Sequence, residues 1–459
     1  MPTGDHVVQE LPWRWHTQGR IFIIGGLGYM FDAWDVTLAG FVLPLLGDDW
    51  GLSKLQLGLF GTAGLIGMAI GAFTWGTIAD LLGRKRAFTV TLLAFAIFSA
   101  VAAAAPNYEI LLAARFIAGL GLGGCVPVDY AMVAEFTPRK VRGRVLTALD
   151  MWWPIGATLC GLASSLMLPL HSWRLMLGIM VVPALLVFWI RRSVPESPLF
   201  LVRKGREAEA RKVIGDLIRR TEAEVGEWEL PPPEEPGRVT PATFLARFRD
   251  VWRFDWKVTL AAWLLMMTVM LEYYGVLTWL PSILKAQGFG EYGAFLTTTG
   301  MTAVGIVAAL GAAFLVDVFG RKWVIIVSAL AGAVAMVLFA RTLGLSGQAQ
   351  WWILVYGLAS EVVIPAMYCY IPELYPTLLR GTGFGWASTA SRVVAGLVPL
   401  IFGTWLWPVL GLTNTFVLIG VLIAVALVWL AIAGPETKGR ELDTIGETPD
   451  VAARARAAG

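Results

Sequence analysis

The sequence predicts an all-α polytopic membrane protein: twelve transmembrane helices in two pseudo-symmetric six-helix bundles. Of its 459 residues 57% are hydrophobic and only 15% charged, a composition far more apolar than that of a soluble domain. Apolar runs long enough to cross a bilayer, about 20 residues each as helices, recur along the chain. Three motifs of the first half return in the second at nearly constant spacing, which marks one structural unit used twice.

The first six runs cover 21–46, 55–79, 87–105, 110–134, 145–168 and 173–190. After a polar interval come 258–280, 294–319, 323–340, 351–371, 383–406 and 411–433. The expected organisation is a lead-in at 1–20, a first bundle at 21–192, a linker at 193–256, a second bundle at 257–434 and a tail at 435–459. Alternate loops are basic: Gly83-Arg84-Lys85-Arg86, Arg139 to Arg144, the linker, Gly320-Arg321-Lys322 and Arg380. The intervening loops hold little beyond Lys54, Arg174, Lys285 and Arg341. Basic loops stay inside, so both termini and the linker are expected in the cytoplasm, with the chain multi-pass in the inner or plasma membrane. The linker's Glu207 to Arg219 has apolar residues at helical spacing, and Phe244 to Trp252 is a second amphipathic stretch. Both are expected to be surface helices. Cys125, Cys160 and Cys369 all lie in apolar segments and are expected as buried thiols.

Gly76-x-x-x-Asp80-x-x-Gly83-Arg84-Lys85 returns as Asp317-x-x-Gly320-Arg321-Lys322. Glu135, Pro138 and Arg142-Gly143 return as Glu373, Pro376 and Arg380-Gly381. Pro195-Glu196-Ser197-Pro198 returns as Pro435-Glu436-Thr437-Lys438, the three offsets being 237, 238 and 240 residues. Membrane anchoring explains the Arg and Lys of these loops but not the fixed acids and glycines. Asp80 and Glu135 end their spans where helix N-termini and Arg84 or Arg142 can donate to them. A gate is therefore expected at Asp80, Arg84, Glu135, Arg142, Asp317, Arg321, Glu373 and Arg380, since charge pairs at a wet boundary are made and broken cheaply.

The loops, the Glu to Arg-Gly segments and Pro195 to Pro198 together resemble the major facilitator superfamily over roughly residues 20–440. The resemblance implies a central site near the midplane and alternating access. The Pro-Glu segments resemble its sugar-porter and organic-ion branches. Phe31-Asp32-Ala33-Trp34-Asp35-Val36, Tyr273-Tyr274-Gly275 with Trp279-Leu280-Pro281-Ser282, and Arg392 after Ser388 to Ser391 resemble bacterial niacin transporters, in the group that also holds the synaptic vesicle glycoproteins. What this implies is proton-coupled uptake of a small aromatic carboxylate such as nicotinate.

The charges inside the spans supply the expected site. An acid at bilayer depth costs about 3 kcal/mol and normally faces a bundle interior or a path for ions or substrate. At about 1.5 Å of rise per residue, Asp35 lies about 16 Å and Arg115 about 10 Å from the same side, so they can meet. In related sugar porters the matching acid and arginine couple protons, which makes Asp35 and Arg115 the candidate pair; Asp32, one turn away, is the alternative, and a permanent structural bridge is the bland reading. Arg392, about 18 Å into its span, can offer a carboxylate two parallel hydrogen bonds, or be neutralised by Glu361 at similar depth. Trp34, Tyr273, Tyr274 and Tyr368 are candidates to stack on a flat ligand or hold a cation, although packing explains any one of them. Asp129, Asp150, Glu272 and Glu361 complete the candidate cavity. Asp32, Asp35, Asp129, Asp150, Glu272 and Glu361 outnumber Arg115 and Arg392 by four, which leaves an organic cation or amine, or a sugar, as the alternative cargo.

Gly119, Gly121, Gly123 and Gly124 are expected to let helices approach closely; Pro127, Pro154, Gly275 and Pro365 are expected bending points. An enzyme is not expected: no nucleophile motif or His- or Cys-rich cluster is present, and the three histidines, His6, His16 and His171, lie outside the deep spans. No cofactor, metal or nucleic acid is expected as a partner, and no nucleotide-binding loop suggests ATP-driven transport. The expected partners are the bilayer, protons and a small-molecule substrate, with the chain a monomer. A non-transporting receptor or scaffold is the reading from another class.

Overall fold

The computed structural model of the protein describes residues 3–124, 132–185, 189, 194–230, 241–345 and 347–438. Side chains at a few positions within these segments, Asp80 and Arg84 among them, lie outside the description, as do Cys125, Pro127, Asp129 and the residues after 438. Among the described residues the fold is helical, with one isolated β-bridge between Thr3 and Glu229.

The helices are α1 Gly4–Glu10, α2 Arg20–Trp50, α3 Lys54–Leu82, α4 Arg84–Ala103, α5 Tyr108–Leu122, α6 Arg142–Asp150, α7 Trp152–Met167 and α8 Trp173–Gly178. Next come α9 Pro198–Arg203, α10 Glu207–Thr221 and α11 Pro241–Phe254. Last are α12 Trp256–Ala286, α13 Glu291–Phe319, α14 Arg321–Thr342, α15 Gln348–Glu373, α16 Thr377–Ile401 and α17 Gly411–Ala433. Nine stretches of the described residues are long and apolar enough to span a membrane. The fourth and sixth expected runs adjoin undescribed residues, and the eleventh and twelfth form one stretch, Leu379–Ala433. Gly411 breaks that stretch at φ 74°, a left-handed conformation that costs glycine little.

Local chemistry sets several helix ends. Asn107 accepts the Ile110 N–H at 3.0 Å to open α5, and Asp255 accepts from Lys257 and Val258 at 2.9 and 3.2 Å to open α12; each such cap stabilises its helix by about 1 kcal/mol. The expected bend at Pro154 is an interruption at Met151 between α6 and α7. Proline has no N–H to donate and its ring crowds the carbonyl four residues back, here that of Asp150. Pro365, by contrast, lies inside an uninterrupted α15.

Contacts divide the chain into two compact units, Met1–Leu45 with Ala63–Gly237, and Leu46–Thr62 with Arg238–Gly459. In the first, α4 packs on α5 and α8. The amphipathic α10 buries Ala210, Ile214, Leu217 and Thr221 along one face. The N-terminal lead-in docks on this linker helix: Arg14 pairs with Glu222 at 3.5 Å and His16 Nε2 meets the Arg220 carbonyl at 2.8 Å. In the second unit, α14 packs on α15 and α17, α13 on α15, and α12 on α16 and α17.

Large apolar side chains also point outward, among them Leu166 at 80% and Ile432 at 77% exposure, as a lipid environment favours. One expectation needs correcting. Cys160 is buried, but Cys369 is exposed and lies 3.7 Å from the Glu373 carboxylate, because a membrane helix that is apolar overall still carries polar-facing positions near its end.

Candidate functional site

Helix α2 carries Asp35 and α5 carries Arg115, and the structure brings them together. Arg115 donates through Nη1 and Nη2 to the two carboxylate oxygens of Asp35 at 2.6 and 3.0 Å. The side chains are only 3% and 1% exposed. This two-point geometry is the strong form of the pair. Glycines make room for it. A Cβ on Gly119 would lie 2.2 Å from the Gly64 carbonyl oxygen, and one on Gly67 2.2 Å from that of Phe116, so α3 and α5 meet backbone to backbone. A Cβ on Gly64 would crowd the Arg115 guanidinium at 3.2 Å. The expected close approach at the glycine row is thus present, and it holds the arginine beside the acid.

Asp32 is also buried, at 1% exposure. Trp34 is half-buried, its ring 6.4 Å from that of Phe31, and Asp150 is half-buried at the end of α6.

The second unit has different interior chemistry. Tyr273 donates its hydroxyl to Glu361 at 3.0 Å, with both residues buried. A Cβ on Gly305 would lie 2.5 Å from the Glu361 side chain, so that glycine opens the space the acid fills. Tyr274 is half-buried with its ring 5.7 Å from that of Tyr273. Glu272 lies on the wall of a cavity of about 10 Å³, with Ser328, Tyr356 and Ser360, a volume close to that of one water. Arg392 is half-buried on α16, and Tyr368 packs its ring 5.7 Å from Phe384.

At the basic-loop ends Glu196 and Glu436, which the sequence offers only as repeated motif residues, receive N–H groups of α4 and α14 among the described residues. Glu196 Oε1 accepts the Lys85 N–H at 3.2 Å. Glu436 accepts those of Arg321 and Lys322 at 3.0 and 3.2 Å, with Thr437 and Lys438 adding N–H bonds at 2.9 and 3.0 Å. Gly83 and Gly320 start α4 and α14 at φ 94° and 90°, and a Cβ on either would strike the carboxylate of its glutamate. The fixed glycines are explained by both conformation and space.

Glu135 and Glu373 in turn hold the next residue of each Pro-Glu motif. Ser197 donates its hydroxyl to Glu135, and Thr437 donates to Glu373 at 2.5 Å. Arg321 lies 3.3 Å from Asp317 and 3.4 Å from Glu373, the grouping the repeat predicts. Arg142 donates to the Thr137 carbonyl at 3.3 Å. Arg380 Nε and Nη2 are buried without a hydrogen-bond partner among the described residues.

Comparison with known proteins agrees with this architecture. The profile of the family described as "Sugar (and other) transporter" matches residues 23–448. The chain is 35% identical to the niacin transporter NiaP of Acinetobacter baylyi over 92% of its own length and 94% of that protein's. It is 29% identical to the 4-hydroxybenzoate transporter PcaK of Pseudomonas putida over 84% and 85% of the two chains. Its fold matches the inward-open structure of the xylose transporter XylE of E. coli with a TM-score of 0.73, covering 93% of this chain and 99% of that one at 20% identity.

Proposed function

We propose, from the premise that the chain belongs to the sugar (and other) transporter family and is a multi-pass membrane carrier rather than an enzyme, that it takes up a small aromatic carboxylate together with protons by alternating access. The observation that carries the coupling is the buried two-point pair of Asp35 and Arg115. A buried ion pair is costly to break by removing one member, yet a proton can replace the guanidinium as the partner of the carboxylate when the two separate. A membrane potential of 100 mV supplies about 2.3 kcal/mol for each charge moved. In this reading a proton arriving at Asp35 releases Arg115, and its departure restores the pair.

Substrate class rests on the relatives that carry niacin and 4-hydroxybenzoate by name. Arg392 is the proposed carboxylate hook, since a guanidinium donates two parallel bonds to such an anion. Trp34, Tyr273, Tyr274 and Tyr368 supply aromatic surface. Asp32, Asp129 and Asp150 belong to the same proposed path. The basic loops, Arg84 to Arg86 and Arg321-Lys322 among them, support a cytoplasmic position for both termini and the linker. Asp80, Arg84, Glu135, Arg142, Asp317, Arg321, Glu373 and Arg380, beside the carboxylate cages of Glu196 and Glu436, then form the cytoplasmic gate of a monomeric importer in the inner membrane.

A second reading has its own support. Glu272 and Glu361 are buried at 6% and 5% exposure, and such acids suit an amine-bearing cargo. A thermal-shift screen of the purified protein against nicotinate, 4-hydroxybenzoate, nicotinamide, xylose and quaternary amines separates the two, because ligands of the native state raise its melting temperature. Stabilisation by the carboxylates, lost in Arg392→Ala, supports the carboxylate reading. Stabilisation by amines alone, unchanged in Arg392→Ala, contradicts it.

A further inference from the structure

Glu272 differs from the other buried acids in what surrounds it. It lies in mid-helix on α12 and is buried at 6% exposure. Its neighbours on the cavity wall are hydroxyls, Ser328, Tyr356 and Ser360, set among Val269 and Val363. Both serines already spend their single O–H on their own helices: Ser328 donates to the Val324 carbonyl at 2.6 Å and Ser360 to that of Gly357 at 3.2 Å. What they can offer the cavity is therefore lone pairs. The Tyr356 hydroxyl is buried with no hydrogen-bond partner among the described residues.

A bare carboxylate finds the Tyr356 hydroxyl as a donor on this wall, but the two serines offer it only lone pairs and its burial at 6% exposure makes the charged form costly. A group that brings a donor fits well. The packed elements leave little else that could neutralise it. Its own helix adds Tyr273, Tyr274 and, near its ends, Lys257 and Lys285, and α15 carries Tyr356, Glu361, Tyr368, Cys369, Tyr370 and Glu373. Between Lys322 and Arg341 α14 has no titratable residue, α13 has none between Tyr292 and Asp317, and α17 has none at all. The intramembrane charge of α16 is Arg392, and α11 carries Arg247, Arg249, Asp250 and Arg253 near the basic-loop end of the unit.

We propose that Glu272 is a second proton-binding carboxyl, holding its proton in the small cavity with Ser328, Tyr356 and Ser360 and separate from the Asp35–Arg115 pair. The step is a simple exchange. An O–H bond forms on the carboxylate as a proton arrives from water, and breaks as the proton returns to water; nothing is oxidised or reduced. The inference goes beyond the coupling pair and stands whether the cargo is an acid or an amine.

Infrared difference spectroscopy of the purified protein in nanodiscs, stepped from acid to alkaline pH, reads the proton directly and needs no transport. The wild type is expected to lose a carboxylic-acid carbonyl band and gain carboxylate bands. Glu272→Gln lacks one carbonyl component of that change, Glu361→Gln keeps that component, and Tyr356→Phe keeps it at an altered frequency because the adjoining hydroxyl is gone. A difference spectrum in Glu272→Gln identical to that of the wild type overturns the proposal. So does the same carboxylate signature raised by sodium chloride at fixed pH and absent in Glu272→Gln, which makes the site one for a metal cation.

Discussion

Around Glu196 in the first unit and Glu436 in the second the chain builds the same object: a glycine at positive φ, a helix starting directly after it, and a glutamate whose carboxylate receives the helix's first N–H groups. The hydroxyl residue that follows each glutamate reaches a second acid, Ser197 to Glu135 and Thr437 to Glu373. In the bundle interiors the units part company. The first holds an acid against a guanidinium, Asp35 with Arg115; the second holds acids among hydroxyls, Glu361 with Tyr273 and Glu272 near Tyr356. The difference teaches that duplication preserved the device that fixes helix ends, while the interiors took up separate chemistry.

Mutations can break or sharpen this comparison, and the largest effect belongs to the charge pair. Arg115→Gln leaves a buried carboxylate alone and should cost about 3 kcal/mol or more, whereas the double variant Asp35→Asn with Arg115→Gln should recover much of that loss. Melting curves in nanodiscs give the comparison, and a double variant no more stable than Arg115→Gln would remove the pair from the account. The cages come next. Glu436→Gln should cost about 1 kcal/mol more than Glu196→Gln, because the Lys438 N–H meets the first carboxylate where its counterpart Pro198 has no N–H to offer, and one hydrogen bond is worth about 1 kcal/mol. Equal losses would mean the cages are energetically alike.

Smaller still is Tyr273→Phe, which removes one donor from Glu361 and should lower stability by about 1 kcal/mol; no change in melting temperature would make that bond incidental. At the bottom of the scale lies the exposed linker. The Arg206 side chain bonds Glu209 at 2.7 and 2.6 Å and holds its carboxyl below the ordinary glutamate range. A lowered folded-state value contributes above the unfolded value and is lost as pH falls through the folded one. The pair is on the surface, where solvent screens it, so Arg206→Ala is expected to leave the melting temperature unchanged at neutral and acid pH alike. A measurable drop at neutral pH would show that the linker helix braces the unit.

Much of this is legible in the sequence because it is local. Apolar runs, helix-end motifs and the repeat are contiguous patterns, and depth along a helix follows from its rise, so counting shows that Asp35 and Arg115 can meet, while the resemblance to sugar porters is what pairs them. Partners that are remote in the chain are not legible in the same way. Lys85 and Glu196 are 111 residues apart, and Arg321 and Glu436 115, and the motif alone names Glu196 and Glu436 without saying what they hold. Cys369 shows a second limit, since an apolar run does not say which of its positions is exposed. Tyr356 carries no signal at all: a tyrosine in an apolar stretch reads as packing until its buried hydroxyl is found without a partner among the described residues.

The central claim is that a proton exchanging at Asp35 drives carboxylate uptake. Reconstituted protein in proteoliposomes, given labelled nicotinate under an imposed pH gradient, tests it most directly, with Asp35→Asn measured beside the wild type for both accumulation and counterflow. The account predicts accumulation above the external concentration in the wild type, and in Asp35→Asn a loss of accumulation with counterflow retained. Asp35→Asn that accumulates nicotinate as the wild type does would contradict it.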